Sequence, residues 1–296
     1  MIRPLRTLAT LSVLASLGLP GGLAAQVEAP CDRACLANVM TRYLASLVTH
    51  DPQHAPIAPI ARFTEDAREL AIGEGLWKSA SKVRRGRSDF LDVQEGTAAV
   101  QAVLEENGAL VLLAARLKVV DREITEIETM VVRSEQEGGL FAPEALTQRS
   151  AVMARLPPRN GRMPRDELVE IALRYPEGLR VGSFEKSDVP FAPRAYRLEN
   201  GVKMAGPGCT FRPPSCENMR LQQIPALAAI KHRVLAVDEE NGTVLLWMDF
   251  GATSPGLPAQ TNTLVVFEAF KIFRGEVYAV EALFQSMPVD TPSGWQ

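Results

Sequence analysis

A chain of 296 residues is longer than one hydrophobic core usually grows. With 46% apolar residues, 23% charged residues and a mean hydropathy of −0.01, its composition is that of a folded protein, not a disordered or collagen-like chain. The formal net charge is −3, and loss of Arg3 and Arg6 with a leader takes it to −5, so neither nucleic acid nor an anionic membrane surface is an expected partner.

The leader is legible first. Arg3 and Arg6 precede an apolar stretch over 8–19, and the small residues 22–25 close it, the layout of a secretory signal peptide over 1–25. The mature protein is therefore expected in the periplasm or outside the cell, with no membrane association once the signal is removed. Cys31, Cys35, Cys209 and Cys216 fit such an oxidising compartment. Two local bridges are the first expectation, and pairing between the halves stays open, because four cysteines allow three connectivities. The pairs lack the Cys-x-x-Cys spacing of a zinc knuckle.

A first domain is expected over 26–134. Leu36, Val39, Met40, Tyr43, Leu44, Leu47 and Val48 recur at three and four, which predicts a helix over 32–50 stopped at Asp51-Pro52. A strand over 61–70, a turn over 73–77 and the basic cluster 82–87, read as a solvated loop, follow. Strands over 97–104, 110–120 and 124–132 then form an antiparallel meander. The Gly/Pro-rich, charged stretch 135–163 reads as a linker. The second domain, 164–296, opens with a helix over 164–180, with Leu168, Ile171, Ala172 and Tyr175 on one face, interrupted at Pro176 and followed by a strand over 194–198 and the cysteine loop. Strands over 230–237, 244–250, 263–273 and 277–285 close it.

Glu105-Glu106-Asn107-Gly108 returns as Glu239-Glu240-Asn241-Gly242, and the same offset of 134 lays Pro56 on Pro190, Glu65 on Glu199, Val100 on Val234 and Asp32 on Asp166. Two copies of one domain are expected, with each Asn-Gly forming a two-residue hairpin turn at the same place. Lys118 and Lys271 need an offset of 153, which puts 19 additional residues within 251–269 and predicts a long hairpin in the second copy.

Three stretches carry a family resemblance: Tyr43-Leu44-Ala45-Ser46-Leu47-Val48-Thr49-His50-Asp51-Pro52, Ala61-Arg62-Phe63-Thr64-Glu65-Asp66, and 117–128 with its Lys118, Glu126 and Glu128. They resemble the helix end, first strand and closing hairpin of nuclear-transport-factor-2-like proteins, the group of SnoaL-like polyketide cyclases and ketosteroid isomerase. The first copy also resembles secreted proteins of uncharacterised function that start their helix with Cys-Asp-x-x-x-Cys. The resemblance implies an α+β fold of two tandem cone-like domains, each a helix on a strongly bent antiparallel sheet. It also implies chemistry without a metal or organic cofactor. The group's Tyr and Asp catalytic pattern is not matched residue by residue.

Candidate chemistry centres on charges inside predicted strands, because a carboxylate on a closed sheet face must be paired or functional. Asp249 and Glu268 are the candidate bases, with His232 as a third catalytic candidate. Trp247, Phe267, Phe270 and Tyr278 form a candidate aromatic wall, and Trp77 and Arg62 join them as ligand-binding residues. His50-Asp51 is a weaker acid/base pair with a helix-capping explanation, and Lys118 and Glu128, matched by Lys271 and Glu281, read equally well as cross-strand pairs on a solvated face. No Gly-x-Ser-x-Gly elbow, phosphate loop or dinucleotide fingerprint is present. Two functional classes remain: cofactor-free acid/base catalysis (isomerase, cyclase, dehydratase or lyase type) on a small, largely apolar organic molecule, and a non-catalytic ligand-binding or scaffolding protein. Homo-oligomerisation is open to both.

Overall fold

The computed structural model describes residues 30–211, 213–222, 224–251, 261–289, 291 and 295. The expected signal peptide lies outside the described residues, as does 252–260 in the expected long hairpin. The chain is α+β, with few helices and two sheets. The first unit contains α1 (Arg33–Thr49), β1 (Ile57–Glu65), β2 (Arg68–Glu69), β3 (Ala80–Val83), β4 (Ser88–Asp92), β5 (Thr97–Glu106), β6 (Ala109–Val120) and β7 (Glu123–Val132). After the four-residue α2 (Ala151–Ala154), the second contains α3 (Arg165–Val181), β8 (Phe191–Glu199), β9 (Val202–Ala205), β10 (Lys231–Asp238), β11 (Thr243–Asp249), β12 (Asn262–Phe273) and β13 (Glu276–Pro288).

The strand orders are β2-β1-β7-β6-β5-β3, with β4 also on β5, and β10-β11-β12-β13-β8-β9. Both sheets are mixed where antiparallel sheets were expected: β1 lies parallel to β7 and β8 to β13. The strand after each helix returns beside the last strand of its unit, and hydrophobic alternation carries no information about that direction. Alternation instead decides which core each side chain enters. In β6, Val111, Leu113, Ala115 and Leu117 pack beneath α1, whereas Leu112 and Ala114 join a third core shared by the two sheets. In β12, Val266 and Phe270 pack beneath α3, and Val265, Phe267 and Ala269 enter the shared core. Burial of both faces explains why the central strands read as almost continuous apolar runs.

The two units are copies, but not in the register that the sequence suggests. Helices α1 and α3 are each 17 residues long and end in a left-handed cap, His50 and Gly182, at an offset of 132. That offset pairs Leu36 with Leu168, Tyr43 with Tyr175 and Leu47 with Leu179, all buried. Strands β1 and β8 follow at 134. Asp92 and Asp238 each close one strand opposite Thr97 and Thr243 of the next, at an offset of 146, and β6–β7 match β12–β13 at 153. Hence Glu239-Glu240-Asn241-Gly242 is the counterpart of Val93-Gln94-Glu95-Gly96, not of 105–108. Asn107 and Gly108 form the expected two-residue turn with φ of 50° and 82°, whereas only Gly242 is left-handed in the other loop. Gly96 and Gly242 have φ of 60° and 62°, and their carbonyls accept from Val119 and Ile272 at 2.7 Å each. Of the 21 residues by which the offset grows from 132 to 153, two precede β8, 12 lie between β8 and β10, in the stretch that includes the cysteine loop, and seven lie between β11 and β12.

The copies are joined by a reciprocal clamp. Arg33, first residue of α1, donates to both oxygens of Asp238 at 2.6 and 2.9 Å, and Arg165, first residue of α3, donates to both oxygens of Asp92 at 2.8 Å each. Asp238 also accepts from the backbone of Leu91 at 3.2 Å and Asn241 at 2.9 Å, and Asp92 from Val237 at 2.8 Å and Glu95 at 3.1 Å. Every group has its counterpart across a local two-fold relation, as in an isologous dimer interface.

Segment 135–163, expected as a linker, is packed structure. Met153 is fully buried in the shared core, and Ala142 donates its backbone N–H to Asn200 at 2.8 Å. At the other end of the molecule Trp295 donates to Thr64 at 2.8 Å, so each unit's trailing segment crosses to the other. Cys31 is bonded to Cys35 and Cys209 to Cys216, the local pairing. These bridges are compatible with an exported protein, and no helix among the described residues is long and apolar enough to cross a membrane.

Removing either clamp carboxylate leaves an arginine and two backbone donors without their acceptor. Asp92→Ala and Asp238→Ala are each expected to cost about 3–5 kcal/mol in urea unfolding. Arg33→Ala combined with Asp238→Ala should cost little more than Asp238→Ala alone. Additive losses would show that the pair does not act as a unit.

Candidate functional site

The interiors beneath the two helices differ in polarity although their frames match. In the first unit Trp77 is packed edge-on against Tyr43 and Phe63, with ring centroids 5.4 and 5.1 Å away, and its Nε1 donates to the Ser46 hydroxyl at 3.1 Å. Trp77 is 1% exposed, so this candidate ligand-binding residue fills its own core.

In the second unit the corresponding positions carry ionisable groups. Glu268 stands where the first unit has Ala115, and Arg197 where it has Phe63. Arg197 donates through Nη1 to the Tyr175 hydroxyl at 3.2 Å, and its Nε lies 2.7 Å from the Glu199 carboxylate. Glu268 is 2% exposed, and its Oε2 has no hydrogen-bond partner among the described residues. Burial pushes its pKa up to about 8 against the opposing charge of Arg197, with Glu199 adding to the rise. Burial likewise holds the Tyr175 hydroxyl well above the usual phenol range, so it stays a neutral donor. Around them lie Phe270, 5.0 Å from the Tyr175 ring, Phe184 stacked on it at 4.6 Å, and Leu246, Met248 and Val266.

The remaining candidates are dispersed. Phe270 and Glu268 share a face, but Phe267 is one residue from Glu268 and so points the other way, into the shared core with Trp247. Trp247 lies beneath the Arg233 guanidinium, 4.8 Å from its ring centroid, and Arg233 is ion-paired with Glu128 at 2.6 Å. Tyr278 stacks on Phe273 at 3.7 Å and bonds Glu276 at 3.0 Å, outside the interior. The proposed aromatic wall therefore does not form, because positions of opposite parity on one strand cannot line one surface. Asp249 ends β11, accepting from the Gly251 backbone at 2.9 Å and the Thr263 hydroxyl at 2.6 Å. His232 is exposed on β10, its pKa held low by partial burial and by Arg180. Arg62 pairs with Glu69 at 3.1 Å and lies over Trp295. His50 caps α1 and contacts the Trp77 carbonyl, a structural position.

The expected cross-strand Lys–Glu pairs are replaced by other partners. Lys271 is fully buried and donates to the side chain of Asn241 at 2.9 Å and to its carbonyl, while Arg116 takes Glu128 at 2.9 Å and Glu126 at 2.7 Å. Sequence reasoning missed Tyr175 and Arg197 as site residues. Tyr175 read as an ordinary apolar helix position; the signal for Arg197 was its period-two spacing from the inward-facing Ala195.

Residues 161–284 match the family model described as a domain of unknown function, DUF8021. No curated protein matches the chain. Among solved structures, a de novo designed protein with a curved β-sheet is similar at 17% identity and a TM-score of 0.28, covering 34% of this chain and 87% of that one. AclR of Streptomyces galilaeus is similar at 13% identity and a TM-score of 0.26, with 34% and 81% covered.

A carboxyl group raised from about 4.3 in the unfolded chain to about 8 in the fold holds a proton that the unfolded chain has lost between those values. Its contribution to stability is complete below the lower value and falls as pH rises through the upper one. In denaturation curves between pH 5 and 8, Glu268→Gln should decline less steeply than the parent protein. Parallel curves would show that Glu268 is not protonated in the folded state. Asp66, raised by burial to about 7, contributes a slope of the same sign to both proteins and cancels in the comparison.

Proposed function

We propose that this is an exported protein whose second unit takes up a small, largely apolar organic molecule and acts on it by cofactor-free acid/base chemistry, in a cone-like domain of the nuclear-transport-factor-2 kind. One observation carries the reading. The first unit builds a closed core with Ala115 and Phe63, so the frame does not require the acid and the guanidinium that the second unit places there. Buried ionisable groups that a fold can do without are expensive, and they concentrate where chemistry is done.

The roles follow from the hydrogen bonds. Arg197 occupies the Tyr175 oxygen as a donor, which leaves the phenolic proton to be given to Glu268 or to a ligand oxygen. Glu268, ionised, takes a proton from a carbon acid, and in its protonated form returns it elsewhere on the same molecule. Tyr175 stabilises the oxygen on which charge collects. Phe184, Phe270, Leu246, Met248 and Val266 select an apolar body and exclude water, which sustains the raised pKa of Glu268. The first unit, filled by Trp77, is read as a scaffold, and this same filling favours the non-catalytic alternative for that half.

A nitrobenzisoxazole is a suitable probe, because removal of its isoxazole ring proton opens the N–O bond to a coloured cyanophenolate. The rate should rise as pH passes about 8, where Glu268 ionises, and Glu268→Gln should abolish the protein-dependent part. Tyr175→Phe should lower it about 10- to 100-fold without moving the pH midpoint far. A rate indifferent to Glu268→Gln, in a variant that is also less stable than the parent at pH 8, would make the cluster structural.

A further inference from the structure

Both units end the strand that follows their helix on a glutamate, and they give it different cations. In the first unit it is Glu65, which accepts from the Leu76 backbone at 2.8 Å and pairs with Arg133 at 3.0 Å. Arg133 follows β7 directly, has a side chain 31% exposed and is shared with Asp66 and Glu106, so this ion pair sits at the rim. In the second unit the counterpart is Glu199, and the offset of 153 puts Ser286 in the place of Arg133. Its cation is Arg197, two residues back on β8, which stands where the first unit has Phe63 and is 6% exposed. Between the copies a positive charge exchanges the rim for the interior, while the glutamate stays in place.

An arginine in that interior has two acids to choose between. Glu199 holds it by charge, with Oε1 2.7 Å from Nε, although the Nε hydrogen is not directed at the carboxylate and makes no hydrogen bond among the described residues. Nη1 donates to the Tyr175 hydroxyl at 3.2 Å. Glu268 is the second acid. It feels the charge of Arg197, yet its Oε2 has no hydrogen-bond partner among the described residues. The other groups around it offer the guanidinium no rival: Leu246 on β11 and Ala282 on β13 flank Glu268, and Tyr175 of α3 is a neutral phenol. A buried arginine closes on a free carboxylate oxygen unless another acid occupies it, because a buried charge without a partner is costly.

We infer that Glu199 is a positioning residue that holds the Arg197 guanidinium away from Glu268, leaving the Glu268 carboxyl free to take and return a proton. This role rests on the reading of Glu268 as the acid/base group of the second unit. An Arg197–Glu268 ion pair keeps the carboxyl ionised and occupies its lone pairs, which ends its use as an acid. Balanced by Glu199, the guanidinium instead turns a donor to Tyr175. The first unit has Ala115 in the place of Glu268, so its glutamate has no interior arginine to restrain and serves the rim.

The test titrates the infrared carbonyl band of protonated Glu268 in the mature full-length protein, identified as the band that Glu268→Gln removes. In the parent it should fade as pH passes about 8. In Glu199→Gln the released Arg197 should lower that midpoint by about one pH unit or more, a tenfold change in the ionisation constant, and Glu199→Asp should restore most of it. The Glu199 side chain is 23% exposed at the end of its strand, so the variant should fold. Beside Arg197→Met, where no buried cation remains, Glu199→Gln should move the midpoint by less than about half as much. Urea unfolding gives a second reading: Glu199→Gln should cost more stability beside Glu268→Gln, where no second acid receives the guanidinium, than it does alone. A midpoint unmoved by Glu199→Gln would overturn the proposal. Equal shifts with and without Arg197 would also overturn it, by assigning the effect to direct repulsion between the two carboxylates. A parent without any such band between pH 5 and 8 would instead overturn the reading of Glu268 itself, whatever Glu199 does.

Discussion

Two buried aspartates hold this molecule in its shape. Asp92 and Asp238 each end a strand at the centre of the contact between the sheets, and each takes an arginine from the opposite unit's first helical residue together with backbone donors from both units. A carboxylate so placed satisfies its own turn, the neighbouring strand of the other copy and the entry of the other copy's helix in one step. The arrangement is that of a symmetric dimer contained in one chain. Because both copies contribute the same residues, the orientation of one unit fixes that of the other, and both faces of each central sheet become interior.

Duplication within one chain allows the copies to diverge. The first unit has become a packed support: Trp77, Tyr43 and Phe63 close its interior with edge-to-face contacts and a single hydroxyl partner for the indole. The second has kept or acquired Tyr175, Arg197 and Glu268 in the equivalent space, at the expense of an incompletely satisfied carboxyl. The comparison controls for the fold, since the helix, the first strand and the closing hairpin are matched residue for residue while only the interior chemistry changes.

Much of the fold was legible in the sequence. The helix 32–50 follows from apolar spacing and was found as Arg33–Thr49, the meander strands follow from β-branched runs, and the cysteine pairs form local bridges. Glu268 and Phe270 were rightly placed on one face because period-two alternation is a property of the backbone. Trp247, Phe267 and Tyr278 were grouped with them on composition alone, and alternation already forbade Phe267. Tyr175 and Arg197 come from a helix and a strand more than 60 residues from Glu268, and no local pattern links such distant positions.

The repeated Glu-Glu-Asn-Gly marks the limit most clearly. Local chemistry determined that each copy is a turn, since Asn-Gly and Asp-x-x-x-Gly stretches both bend a chain at low cost. It could not determine that one copy is the two-residue hairpin between β5 and β6 and the other the four-residue loop between β10 and β11. Equivalence between copies is defined by what a residue touches, and only the tertiary structure showed that Gly242 holds Ile272 as Gly96 holds Val119. By itself the sequence determined the two helices, the long strands and the duplication, because these depend on neighbours along the chain. Tertiary structure decided the register of the duplication, the mixed sheets, the clamp between the units and the gathering of Tyr175, Arg197 and Glu268, because each depends on side chains that meet only after both faces of the sheets have been buried.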